Sequence, residues 1–292
     1  MAQLGQQAAQ SAAAAGARLW HAGFRPGAWA ALARRVERRA VAEVPYYRER
    51  WAAAGGGPVT PAPVSIVDLT GQLERLCPLA RPWRPSREPS LWGGSTGALR
   101  TALGLAGVLD RRVPVLEVRR SLLDRHRLGP GGPPFGVLLA DEADVVSPAR
   151  RAALELPAAA LAGQAGHALV VATPGQLPAA LAWVRAALDD GDLPLTGVPR
   201  LTARAAATTP AEPDRPALLH DPQLGYFGAA VPACGAYHLD WVRYHARPTT
   251  DGGLALTALG QRRPTLLAVL PGEPGFTAVA RCPRHRSPTL VR

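Results

Sequence analysis

The sequence contains no lysine, so all 33 of its Lys-or-Arg positions are arginine. A Walker-type phosphate loop, which ends in lysine, is therefore excluded, and so is any lysine that would stabilise negative charge developing in a reaction. The same absence colours the formal charge of +11. The arginines run through every region and are not gathered into a stripe interleaved with aromatics. In a chain rich in Ala, Gly and Pro this reads as compositional bias and argues against a nucleic-acid partner. Small anionic ligands such as nucleotides or acyl thioesters fit the charge better. Cysteine is scarce as well, with three in 292 residues, which excludes a disulfide framework. With 47% hydrophobic residues the chain can bury one large core or two smaller ones without such staples. No run approaches the roughly 18 to 20 apolar residues of a membrane span. The first residues lack a basic start followed by a continuous apolar stretch, so no signal peptide is read and the expected location is the cytoplasm. There is no GxSxG, hence no hydrolase-type nucleophile elbow, and no repeat of the solenoid kind.

What is present divides into three regions. Residues 1–54 alternate Ala-rich stretches with Arg at helical spacing (GAWAALARRVERRAVAEV), which predicts a helical N-terminal segment with its arginines in solvent. GGGP at 55–58 marks the first break. Residues 55–205 read as an α/β core with a Gly-rich phosphate loop. PFGVLLAD and HALVVATP are short runs apolar on both faces, as in a covered parallel sheet, and LPAALAWVRAALDDG is an amphipathic helix expected to close at Gly191. Residues 206–292 offer three strand candidates, GLALTAL, PTLLAVL and FTAVARC, parted by Gly and Pro, and predict a more antiparallel, β-rich subregion.

Two groups of residues could carry chemistry. In Gly93-Gly94-Ser95-Thr96-Gly97 the glycines let backbone amides approach an anion while Ser95 and Thr96 add hydroxyl donors; an ordinary surface turn has the same composition. The second is a pair of pairs: Cys234 and His238 lie four apart, Cys282 and His285 three apart. One such pair alone reads as a buried thiol beside an unrelated histidine. Two local pairs of soft and borderline ligands point to tetrahedral Zn²⁺ in a closed, structural site. Cys77, with no histidine nearby, reads as buried and inert. His220-Asp221 ahead of PQLGYFG fits either a base with its carboxylate or an Asp that opens a turn before proline.

Taken in order, VPYYRERW at 44–51, GGSTG at 93–97, VVATPGQLPAALAWV at 170–184, CGAYHLD at 234–240 and TLLAVLPGE…RCPRHRSPTLVR at 265–292 resemble the adenylate-forming superfamily, in particular the branch that holds the phenylacetate–CoA ligases. The resemblance spans most of residues 44–292 and rests on the shared order of loose motifs. It implies a ligase-type large domain: α/β, with a mostly parallel covered sheet and a β-rich C-terminal subregion carrying a zinc knuckle. It also implies that Gly94, Ser95, Thr96 and Gly97 touch ATP phosphates, with Thr96 catalytic, and that Glu273 stands where the family has the aspartate that holds the ribose. Cys234, His238, Cys282 and His285 match positions where some members of the branch bind structural zinc. The departures are specific. The family's aromatic-Gly-x-Thr/Ser-Glu signature is replaced by HDPQLGYFGAAVPAC, leaving Asp221 as the carboxylate for Mg²⁺, and its Arg-Tyr before the ribose aspartate has become Ala268-Val269. The likeness ends where the small C-terminal domain, the family's usual source of a catalytic lysine, would begin.

Two readings follow. In one, the protein uses ATP and Mg²⁺ to activate an aryl or acyl carboxylic acid for transfer to CoA, a carrier protein or an amine, with a C-terminal domain supplied in trans as a further partner. In the other, a relative that has lost adenylation binds an acyl thioester or a partner protein, or does ATP-independent acyl chemistry.

Overall fold

The computed structural model describes residues 23–56, 61–83, 96–120, 127–129, 131–141, 143, 147–208, 215–261, 263–272 and 275–292. A nine-stranded sheet runs through it in the order β10-β11-β7-β6-β5-β4-β3-β1-β2. The strands are β1 (Val115–Arg119), β2 (Phe135–Leu139), β3 (Ala168–Ala172), β4 (Leu195–Leu201), β5 (Ala217–Asp221), β6 (Gly225–Val231), β7 (Ala236–Leu239), β10 (Ala278–Arg281) and β11 (Pro288–Val291). From β2 to β5 neighbouring strands are parallel; from β5 to β10 they are antiparallel. The mostly parallel core and the β-rich C-terminal region expected from the sequence are thus the two halves of one sheet. Hydrogen bonding from β4 to β5 carries it across position 205 without a break. A separate hairpin, β8 (Tyr244–Pro248) with β9 (Leu254–Ala258), forms a second sheet.

Among the described residues seven helices cover these sheets: α1 (Pro26–Glu43), α2 (Pro45–Ala53), α3 (Ile66–Leu69), α4 (Thr96–Leu105), α5 (Pro148–Ala165), α6 (Leu177–Ala187) and α7 (Ala203–Thr208). Strand residues alternate faces, and the buried groups sort accordingly. Val115, Val137, Val171 and Val198 pack under α4. Leu116, Val118, Val170 and Ala172 pack under α5 and α6. The third core joins α1, α2 and the β8–β9 hairpin to the antiparallel half. In α1 only Ala33, Val36, Glu37 and Ala40 are buried, which leaves Arg34, Arg35 and Arg38 in solvent as the spacing predicts.

Two expectations fail for local reasons. The helix expected to close at Gly191 already ends at Ala187 with Leu188 as its C-cap, and Asp189 beyond it takes the left-handed conformation at φ 52°, one that Asp tolerates better than most residues. PTLLAVL is not a strand: Ala268 has φ 49°, which breaks the extension, and Val269 makes isolated bridges to Val64 and Leu256.

Candidate functional site

The carboxyl ends of the parallel strands gather polar groups that no local motif announced. Glu117 from β1 is fully buried and accepts a hydrogen bond from the Tyr226 hydroxyl at 2.7 Å. Arg119 Nη1 lies 3.2 Å from its Oε2 and Arg200 Nη1 lies 3.5 Å from its Oε1. The two arginine side chains are only 11% and 14% exposed, so these pairs are shielded from solvent in a way that surface pairs are not. Arg200 also donates to the Val118 carbonyl at 3.2 Å. His220 on β5 lies opposite Tyr226 on β6, with ring centroids 4.7 Å apart. Burial, reinforced by the positive charges of Arg200 and Arg119, pushes its imidazole down to about 3, so it is neutral at physiological pH. Burial also drives the Tyr226 phenol well above its ordinary value, and the Glu117 carboxylate adds to the shift. These residues share the face covered by α4, whose first residue is Thr96 and second Gly97. Gly94, Ser95 and Glu273 lie outside the described residues.

Asp221, the last residue of β5, points to the other face. It is buried; its Oδ1 accepts the Gln223 and Leu224 N–H groups at 2.8 and 3.0 Å, and its Oδ2 accepts that of Gly272 at 3.1 Å. The turn-opening aspartate of the sequence is therefore also a brace that ties residue 272 to the sheet. Of the roughly four lone-pair sites of a carboxylate, one is left for a cation. Beside this brace is a cavity of about 410 Å³, lined by Ala203, Phe227, Leu256, Gly272, Gly275 and Phe276 among others. Gly275 is required there, since a Cβ would fall 2.1 Å from the Ala203 carbonyl oxygen.

The two Cys/His pairs converge. Cys234 ends a 3-10 turn (Pro232–Cys234) closed by Gly235 in the left-handed conformation, and His238 follows on β7. Cys282 and His285 come from a tight turn in which Cys282 N–H donates to the Ser287 carbonyl at 2.9 Å and Arg286 N–H to the Cys282 carbonyl at 2.8 Å. Pairing of β7 with β11 sets the two turns side by side, and the four ligand atoms lie within 4.8 Å of one another. Cys234 Sγ is 3.1 Å from His238 Nε2, and Cys282 Sγ is 3.6 Å from His285 Nδ1. A tetrahedral S₂N₂ zinc site has ligand–ligand edges of about 3.3–3.8 Å, so the set closes on such an ion with small side-chain movements. The buried Ser287 hydroxyl lies 3.0 Å from His238 Nδ1 and gives that nitrogen a partner while Nε2 faces Cys234. Burial, with Cys282 adjacent, pushes the Cys234 thiol up to about 11, a cost that a cation at the centre would reverse. These four residues could hold a metal ion.

No protein-family model matches the chain, and no curated protein sequence is significantly similar to it. Solved structures do resemble it in shape, and their class is that of the adenylate-forming ligases: the protein has that fold. The particular neighbours are structures of 2-hydroxyisobutyryl-CoA ligase. One is in the postadenylation state with R3-HIB-AMP, at TM-score 0.59 and 14% identity over 91% of this chain and 66% of that one. Another is in the thioesterification state with 2-HIB-AMP and CoA, at TM-score 0.57 and 13% identity with the same coverage. An open conformation of the same ligase with these two ligands matches at TM-score 0.58 and 13% identity, over 89% of this chain and 72% of that one. The chain thus spans about two thirds of the ligase.

Proposed function

We propose that this protein activates a carboxylic acid as its acyl adenylate, with ATP and Mg²⁺, for transfer to a thiol or amine acceptor. The observation that carries this reading is the cavity of about 410 Å³ whose wall includes Ala203, just past the end of β4, and Gly272, bonded to Asp221 at the end of β5, in a fold shared with a CoA ligase. Ligands of open α/β sheets bind at that edge. The nucleotide is assigned to this cavity, with Glu273 on the ribose and Ser95, Thr96 and the flanking glycines on the phosphates. The acid is assigned to the α4 face, where Arg119 and Arg200 supply the positive charge that lysine cannot. Mg²⁺ would take the remaining lone pair of Asp221 together with phosphate oxygens and water. Cys234, His238, Cys282 and His285 would hold a structural Zn²⁺ that clamps the β7–β11 end and takes no part in the reaction.

The test is acid-dependent exchange of pyrophosphate into ATP over a panel of aryl and short acyl acids, on protein of measured zinc content. Exchange that is lost in Thr96→Val and Glu273→Ala, with the thermal midpoint unchanged, is the expected result. A second reading is favoured by the bracing of Asp221 to three backbone amides, which leaves little of it for a metal. In that reading the protein keeps the fold and binds acyl thioesters or a partner without adenylation. Failure of ATP·Mg²⁺ to bind in calorimetry, with the protein folded, would decide for it.

A further inference from the structure

The parallel half of the sheet has the order β2-β1-β3-β4-β5, so the chain passes from β1 to a neighbour on one side and then from β2 to the neighbour on the other. At such a reversal the carboxyl ends of the strands open a crevice, the usual ligand position of doubly wound sheets. A cavity of about 350 Å³ occupies this place between α5 and α6. It lies on the Val118 face of β1, opposite the face that carries Glu117, and its lining shares no residue with the cavity beside Asp221.

Most of its lining is apolar, including Val118, Leu138, Ala152, Ala180 and Trp183. Glu155, from α5, is part of the wall and is buried. Its Oε1 accepts the Leu139 N–H at 2.5 Å and lies 3.4 Å from Arg151 Nε, whereas its Oε2 accepts no hydrogen bond among the described residues. A buried carboxylate oxygen without a donor is strongly unfavourable, and here it belongs to a residue that lines a space large enough for a small molecule, with the oxygen itself covered. Arg151, one turn nearer the start of α5, is 31% exposed and is shared with Asp141, which is 85% exposed. Among the described charged residues of the lining, Asp141 and Glu155 outnumber Arg151 by one negative charge.

We propose that this cavity binds a small primary amine with an apolar body. Arg151, which also donates to the Leu139 carbonyl, turns outward onto Asp141 and uncovers the Glu155 carboxylate; the ammonium group takes its place there, donates to Oε2 and offsets the excess negative charge. The hydrocarbon part lies along Trp183 and Leu138, and the indole face favours a cation beside it. The N-termini of α5 and α6 oppose a cation only within their first turns, and Glu155 stands two turns into α5.

Calorimetric titration of the full chain with 2-phenylethylamine and with 3-phenylpropanoate, a probe of similar size and opposite charge, tests this. The amine is expected to bind and the acid not to. Glu155→Gln keeps an oxygen for the Leu139 N–H, so its thermal midpoint should stay near that of the parent while amine affinity falls about tenfold or more. Ala180→Leu fills the cavity and should abolish binding with the fold intact. No binding of the amine, equal binding of the acid, or unchanged affinity in Glu155→Gln would each overturn the assignment.

Discussion

Asp240 follows β7 and is almost completely buried. Its Oδ1 accepts the Arg243 N–H at 3.2 Å; its Oδ2 is 3.2 Å from Arg243 Nε but without the alignment of a hydrogen bond. Burial pushes this carboxyl up to about 7 even though Arg243 pulls the other way. A carboxyl whose folded pKa exceeds its unfolded value holds its proton more tightly in the fold. Its contribution to stability is therefore full below about pH 4 and is lost as pH rises to about 7. Asp240→Asn keeps the Oδ1 acceptor and removes the charge. Urea denaturation should find the variant nearly as stable as the parent at pH 4 and more stable at pH 8, by roughly 1–3 kcal/mol; a variant less stable than the parent at pH 8 would contradict this. His220 and His245 act with the opposite sign. Burial, with nearby arginines, pushes their imidazoles down to about 3 and about 4, so the stability they contribute is full above about pH 6.5 and is lost as pH falls. At this scale the Cys/His set was legible because each half is local, four and three residues apart, and needs no knowledge of the fold. The Glu117–Tyr226 bond spans 109 residues, and Arg119 and Arg200 lie on separate strands, so no spacing in the sequence connects them.

Among the elements, α5 and β2 approach closely at Gly136. A Cβ on Gly136 would fall 2.6 Å from the Ala158 Cβ and 2.9 Å from its Cα. Both positions lie on regular backbone that cannot retreat cheaply, so Gly136→Ala is expected to destabilise the protein by about 1–3 kcal/mol through overpacking. Because Glu155 is held to β2 through Leu139, the same variant should also alter the cavity between α5 and α6. Denaturant unfolding measures the first effect, and an unchanged midpoint would mean that the helix shifts without strain. The strands PFGVLLAD and HALVVATP and the helix LPAALAWV were readable because an apolar run closed by turn residues carries its own periodicity. PTLLAVL has the same composition and is no strand: Ala268 takes a positive φ, and Val269 bridges Val64, far away in the sequence, and Leu256, both of them outside the run.

For the whole molecule, the two halves of the sheet depend on different stabilisers. β1, β2 and β3 are covered by helices on both faces, whereas β10 is an exposed edge held through β11 and β7, next to the Cys/His set. Stripping metal with a chelator should therefore raise amide hydrogen exchange in β7, β11 and β10 and leave β1 to β3 protected. Uniform change along the sheet, or none, would show that the cluster holds no stabilising ion. Patterns within the sequence were enough for the two helices inside the segment 1–54, of which residues 1–22 lie outside the described residues, for the buried parallel strands, for the strands of the β-rich region 206–292 and for the two Cys/His pairs. Each of these depends on patterns within a few residues, where hydrophobic period and ligand spacing act directly. It took the tertiary structure to join both halves in one sheet, to make Asp221 a brace, to gather Arg119, Arg200 and Tyr226 on Glu117, and to leave Glu155 in a cavity wall with one oxygen that has no partner among the described residues. Those outcomes depend on which strands become neighbours, and strand order is set by packing over the whole chain.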